Sequence, residues 1–135
     1  MAELSSSTIS QELFSDTDRV FDGQAMPINT SVSSSVFEFG KTLNALELVG
    51  TVATDITIAP TYAATITVAW DEDPNGAFSN TEDVATIAPS TVVAGTELFR
   101  YVADHVKPVW YKVTITSTDI ASVGTLDVNI GSVRK

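Results

Sequence analysis

The sharpest chemical pattern in the chain lies between Asp71 and Glu82. Asp71, Asp73, Asn75, Gly76 and Glu82 occupy the fixed positions of D-x-[DN]-x-[DN]-G-x5-E, the calcium loop of an EF-hand. The pattern is chemically sound. It offers hard oxygen ligands at alternate positions, a glycine for the sharp turn and a final Glu able to bind through both oxygens. The flanks argue the other way. An EF-hand sets its loop between two helices, whereas Ala64–Trp70 alternates as a strand and the stretch after Glu82 breaks at Pro89. The preferred reading is a solvated hairpin loop. Asp and Asn favour turns there, Pro74-Asn75-Gly76 is a turn signal, and Phe78 tucks against the body. Neither a metal nor a cofactor is expected, with calcium in this loop as the alternative.

The other candidates are weaker. Asp16, Asp18 and Asp22 surround Arg19 with loose ligand spacing, which reads as a solvated or interface-facing segment. His105 is the only histidine and follows Asp104 in a loop between two strands. It has no second histidine with which to share a metal, and no G-x-S-x-G elbow exists for it to serve. Carboxylates abound, but any acidic β-protein offers a pair for glycoside hydrolysis. Trp70, Tyr101, Trp110 and Tyr111 would suit a sugar-binding platform. Alternation puts Tyr111 in the core and leaves Trp110 as the exposed aromatic. The chain therefore reads as a non-enzyme.

Composition narrows the class. The 135 residues make one domain, long enough for a core without disulfides or structural metal. Apolar residues are 44% and charged residues 18%, which excludes wholesale disorder and suits sheets better than helical bundles. Seventeen acidic against 7 basic residues give a net charge of −10. With no basic stripe, neither nucleic acid nor an anionic membrane is an expected partner. Cysteine is absent, so there is no disulfide framework or thiolate metal site. The first residues lack the apolar run of a secretory signal, and no stretch approaches the length of a membrane span.

The elements that would position these residues are short strands. Val109, Tyr111, Val113 and Ile115 alternate with Trp110, Lys112, Thr114 and Thr116, the mark of a strand with one buried face. Similar runs are expected at 25–30, at 35–39 with Val36 and Phe39 in the core, at 45–53, 55–58, 64–70, 84–87, 97–103 and 124–130. Turn signals separate them and no amphipathic helix of useful length appears. The expected fold is all-β: an antiparallel β-sandwich, of jelly-roll type, over residues 23–135. Residues 1–22 read as an N-terminal arm. Ser5, Ser6, Ser7, Thr8 and Ser10 are followed by few apolar side chains.

The order of features resembles a known family. Glu12-Leu13-Phe14-Ser15-Asp16 closes the arm, and Ala25-Met26-Pro27-Ile28-Asn29-Thr30-Ser31 leads into Val36-Phe37-Glu38-Phe39-Gly40. Ala64-Thr65-Ile66-Thr67-Val68-Ala69-Trp70 enters a loop with Asp71, Asp73 and Phe78. The end runs Leu98-Phe99-Arg100-Tyr101, then Val106-Lys107-Pro108-Val109-Trp110-Tyr111-Lys112-Val113-Thr114-Ile115, then Gly124–Ile130. From about Leu13 to Val133 this looks like the small jelly-roll cement, or decoration, proteins of tailed-bacteriophage capsids. The resemblance implies a non-enzymatic virion protein on the outer surface of the head, made in the host bacterial cytoplasm. It implies a dimer or trimer that ties neighbouring major capsid subunits together against the pressure of packaged DNA. The rival class is a carbohydrate-binding β-sandwich module of a phage fibre or an enzyme.

The family carries no residue-level motif to transfer, so the contact residues come from the arm itself. Ordering a segment costs on the order of 1–2 kcal/mol per residue. A Ser-rich arm cannot offset that with its own side chains. Leu13, Phe14 and Phe21 are the expected anchors on a partner chain.

Overall fold

The computed structural model describes residues 19–39, 44–103 and 109–134, and these form ten strands and no helix. In chain order they are β1 (Arg19–Ala25), β2 (Thr30–Ser33), β3 (Phe37–Phe39), β4 (Asn44–Ile58), β5 (Ala64–Asp71), β6 (Asn80–Ile87), β7 (Ser90–Val92), β8 (Glu97–Ala103), β9 (Val109–Ser117) and β10 (Val123–Arg134). All pairings are antiparallel. The strands divide into two five-stranded sheets that make an all-β sandwich.

The first sheet runs β1-β10-β4, and the far side of β4 is shared by β7 and β8. β4 can serve both because it is 15 residues long. Its early half pairs with β8 from Leu46↔Ala103 to Thr51↔Glu97, and its late half pairs with β7 from Ile56↔Val92 to Ile58↔Ser90. The second sheet runs β9-β5-β6, with β2 and β3 sharing the free side of β9. β2 takes the late half of β9 and β3 the early half. The chain crosses between sheets after β1, β3, β4, β6, β8 and β9. The last two strands are thus interior to their sheets.

The core lies between the inner faces. Leu48, Val52 and Ile56 of β4 and Leu126 and Val128 of β10 face Ile66 and Val68 of β5 and Tyr111, Val113 and Ile115 of β9. Burying each such side chain stabilises the fold by about 1.5–3 kcal/mol. The Phe37 ring stacks on Tyr111, with centroids 5.9 Å apart. Burial pushes the Tyr111 hydroxyl well above the usual phenol range, helped by neighbouring Tyr101. Two glycines are required by close approach. A Cβ at Gly50 would clash with the edge of the Phe99 ring that covers it. Gly124 has φ +111°, and a Cβ there would clash with the Asp55 carbonyl, where β10 changes register against β4.

Several expectations shift. β8 and β9 fall on the residues that alternation marks. The expected strand at 25–30 is instead the turn between β1 and β2, because the chain leaves the first sheet at Met26 and enters the second at Thr30. The strand expected at 35–39 shortens to β3, and Val36 is exposed rather than core. The runs at 45–53 and 55–58 join as β4, since Thr54 continues the ladder by pairing with Thr125. β7 is an additional short strand. β1 begins at Arg19, inside the stretch read as an arm, and pairs with β10 from Arg19↔Asn129 to Ala25↔Thr125.

Candidate functional site

In the loop from Asp71 to Glu82 two of the ligand-like carboxylates, Asp71 and Asp73, bond to the loop's own amides. Asp71 accepts the Asp73 amide through Oδ1 at 2.9 Å and the Phe78 amide through Oδ2 at 3.1 Å. Asp73 Oδ1 accepts the Asn75 amide, and the Asp73 carbonyl accepts the Gly76 amide, both at 2.9 Å. These amides, Asp73 first and Phe78 second, hold the Asp71 carboxyl below its usual range. A depressed carboxyl stabilises the fold above its unfolded pKa, and that contribution fades only as the pH falls through the folded value. Asp71 and Asp73 thus build a nest of side-chain-capped turns. Phe78 tucks back onto the body, 6% exposed, beneath the Lys112 ammonium 5.1 Å from its ring centroid. Glu82 lies on β6 opposite Val68. Among the described residues no three His, Cys, Asp or Glu side chains are grouped to hold a metal. Calcium added to chelator-treated protein is expected to leave the melting temperature nearly unchanged, since a ligand stabilises only by binding the native state. A rise of many degrees at sub-millimolar calcium would overturn this account of the loop.

The other marked residues disperse. Asp104 and His105, and Leu13, Phe14, Asp16 and Asp18, lie outside the described residues. Phe21 is 5% exposed within the core and pairs with Val128, so its ring packs inside its own chain. Asp22 is exposed and bridges Arg19 at 2.9 Å, while Asp127 reaches the same guanidinium at 3.6 Å. The four aromatics do not converge on one surface. Tyr101 and Tyr111 are core, Trp70 is half-buried against it, and Trp110 is half-buried on the outer face of β9.

A different region is organised, and it is the end of the sandwich built from 26–29, 59–63, 88–89 and 118–122. Asp119 is its hub. Its side chain is 1% exposed, and it accepts the Ala59 amide through Oδ2 and the Ala121 amide through Oδ1, each at 2.8 Å. Its carbonyl accepts the Asn29 amide at 2.8 Å, and its own amide donates to Ser117 Oγ. Ser122 Oγ, also buried, donates to the Pro27 carbonyl. Thr118 exchanges bonds with Ala63 through both backbone and side chain. Three loops are thereby fixed to one another. Asn29 at φ 50° and Thr61 at φ 74° are held in the left-handed region, which for a β-branched residue costs on the order of 1–3 kcal/mol.

What this end presents is apolar and uncharged. Ile28 is 56% exposed, Ile120 63% and Val123, just beyond, 56%. Pro27 and Asn29, flanking Ile28, are bonded to Ser122 and Asp119, so Ile28 and Ile120 are neighbours. The four segments contain a single residue charged at neutral pH, the buried Asp119. The opposite end carries Glu72 and Asp73 in the loop after β5. Sequence reasoning did not find this end. Thr118-Asp119 between two strands is a turn signal, but the contact that gives Asp119 its role is with Ala59, 60 residues away.

The outer face of the second sheet is a field of hydroxyls. Ser31, Thr116, Thr65 and Thr86 align across four strands, and Ser33, Thr114, Thr67 and Asp83 align beside them. Ser33 and Thr114 hydroxyls are 2.8 Å apart, and Thr67 donates to Asp83 at 3.0 Å. These bonds satisfy the row internally, as cross-strand pairs do in sheets.

The chain is thus an antiparallel β-sandwich with a pinned, uncharged loop end. No family model and no curated protein matches it. Among solved structures it is similar to a chain in the structure of infectious bursal disease virus Gx strain. The TM-score is 0.50 at 12% sequence identity, covering 86% of this chain and 32% of that one. This chain spans about a third of that chain's length, and the likeness is one of fold.

Proposed function

We propose that this protein is a non-enzymatic structural component of a virion, which binds the outside of a tailed-phage head and cements neighbouring major capsid subunits. The observation that carries the reading is the strand order. We read β1-β10-β4-β8 opposed to β3-β9-β5-β6, with the chain alternating between sheets, as supporting a jelly roll, a fold of capsid and lectin domains. The fold likeness to a chain of a virus structure points the same way, as does the resemblance in strand consensus. Fold alone does not give function. The cement role rests on that resemblance and on a rigid body that many weak contacts, repeated over a shell, would hold in place.

In this reading residues 1–18 make the contact with the major capsid protein, with Leu13 and Phe14 as apolar anchors. Phe21 is committed to the core and drops out of that role. The test is co-sedimentation with heads that lack the protein, comparing the full chain with a chain lacking residues 1–18. That deletion spares β1. The full chain is expected to bind and the shortened chain to fold but stay in the supernatant. Equal binding by both would remove the arm from the mechanism. Binding by neither, at any salt concentration, would remove the cement role.

A further inference from the structure

We propose that Asn75 is a site of spontaneous chemical modification: it loses its side-chain amide to give aspartate and isoaspartate, at a rate set by the turn that Asp73 closes. Asparagine is a thermolabile residue. The reaction needs a carboxamide open to attack and a following backbone nitrogen that can reach it. Five asparagines occur in the chain, at 29, 44, 75, 80 and 129. Four are followed by Thr30, Ala45, Thr81 and Ile130, each of them within a strand and carrying a side chain. Asn75 is exposed in a loop, and the residue after it is a glycine, which puts no side chain in the way.

The fold itself demands that glycine. A Cβ at Gly76 would clash with the Asp71 carboxylate, which caps the loop through the Asp73 and Phe78 amides. The same loop holds the reaction back. Residues 73–76 form a turn in which the Gly76 amide donates to the Asp73 carbonyl, while Asp73 Oδ1 accepts the Asn75 amide, both at 2.9 Å. The Gly76 nitrogen can react only when that turn opens. It then gives its proton to a base in solution and bonds to Cγ of Asn75. The Cγ–Nδ2 bond breaks, and the nitrogen leaves as ammonia with a proton from water. Water opens the resulting succinimide ring at either carbonyl. One opening gives aspartate, and the other gives isoaspartate, whose main chain is longer by a carbon. Both add a carboxylate beside Glu72 and Asp73. Water is the only reactant besides the chain.

The test is storage of the purified full chain in mildly alkaline buffer, followed by peptide mapping with mass spectrometry and detection of isoaspartate. Conversion is expected first at Asn75, with both products present. In urea the same conversion should run about tenfold faster or more, because the two hydrogen bonds that close the turn are gone. Asp73→Ala removes one of those bonds and keeps the other, so the folded variant is expected to convert Asn75 about fivefold faster than the wild type. Should that variant not fold, the comparison of the folded wild type with the wild type in urea decides. Asn75→Gln is expected to abolish the conversion, because ring closure would need a larger ring, and an unchanged yield would overturn the proposal. So would a folded wild type that keeps Asn75 intact over a time in which the chain in urea converts it, or earlier conversion at any other asparagine. Equal rates at Asn75 in the folded wild type and in urea would overturn the role of the turn.

Discussion

Val113→Asp is expected to yield no soluble, folded protein. Val113 is fully buried at the centre of β9, opposite Val68 of β5. Its backbone is fixed on the other side by Ser34, whose amide donates to the Val113 carbonyl at 2.8 Å and whose Oγ accepts the Val113 amide at 3.0 Å. The neighbouring core side chains are Ile66, Val68, Tyr111 and Ile115, none of them a cation that could pair with a carboxylate. An unpaired buried charge costs several kcal/mol even after the group protonates. That is comparable to the roughly 5–15 kcal/mol by which a domain of this kind is stable. Val113→Ala serves as the control. It removes two methyl groups, should cost roughly 2 kcal/mol, and should stay folded. The readout is the soluble fraction and far-ultraviolet circular dichroism. A folded Val113→Asp would mean that the faces of β9 are reversed.

Asp119→Ala is expected to destabilise the protein by about 3 kcal/mol, since it strands the Ala59 and Ala121 amides in a site that is 1% exposed, at roughly 1–3 kcal/mol each. For a chain of this length that corresponds to a fall in melting temperature of about 10 °C. Asp119→Asn keeps one oxygen and turns the other position into a donor facing an amide, so it should lose about half as much. The two variants together separate the hydrogen bonds from the charge. An unchanged melting temperature in Asp119→Ala would show that the loops are fixed by their own turns rather than by this carboxylate.

Different parts of the structure were legible to different degrees, and the reason is range. β8 and β9 were readable to the residue because alternation and burial agree along them: Phe99, Tyr101 and Ala103 inside, then Val109, Tyr111, Val113 and Ile115. The turn at 26–29 was not, because Ala25–Thr30 has the composition of a strand and only the bond from the Asn29 amide to the Asp119 carbonyl, in the loop before β10, shows it leaving the ladder. Val36 looked like core because it is apolar, yet it sits in the gap between β2 and β3. The Asp71 loop matched a ligand pattern because turns and calcium sites both favour Asp, Asn and Gly, and the choice between them lies in where the amides point. Phe21 looked like an anchor because its surroundings in sequence are polar. Its real neighbours are on β10, more than 100 residues on. The loop end was invisible for the same reason, as its four segments meet only once both sheets exist.

The placement of β9 and β10 inside their sheets bears on how the protein comes into being. In each sheet the strand that joins the others is made last: β10 lies between β1 and β4, and β9 lies between β2 or β3 and β5. While the chain is still being translated, β1 has no neighbour and β4 lacks one side. The early strands must wait, with unpaired edges, until residues near 130 have left the ribosome. Long-range pairing of this kind makes folding slow and leaves such edges open to wrong partners in the interval. The net charge of −10 acts before any native contact forms. Like charge makes copies with unpaired strands repel one another.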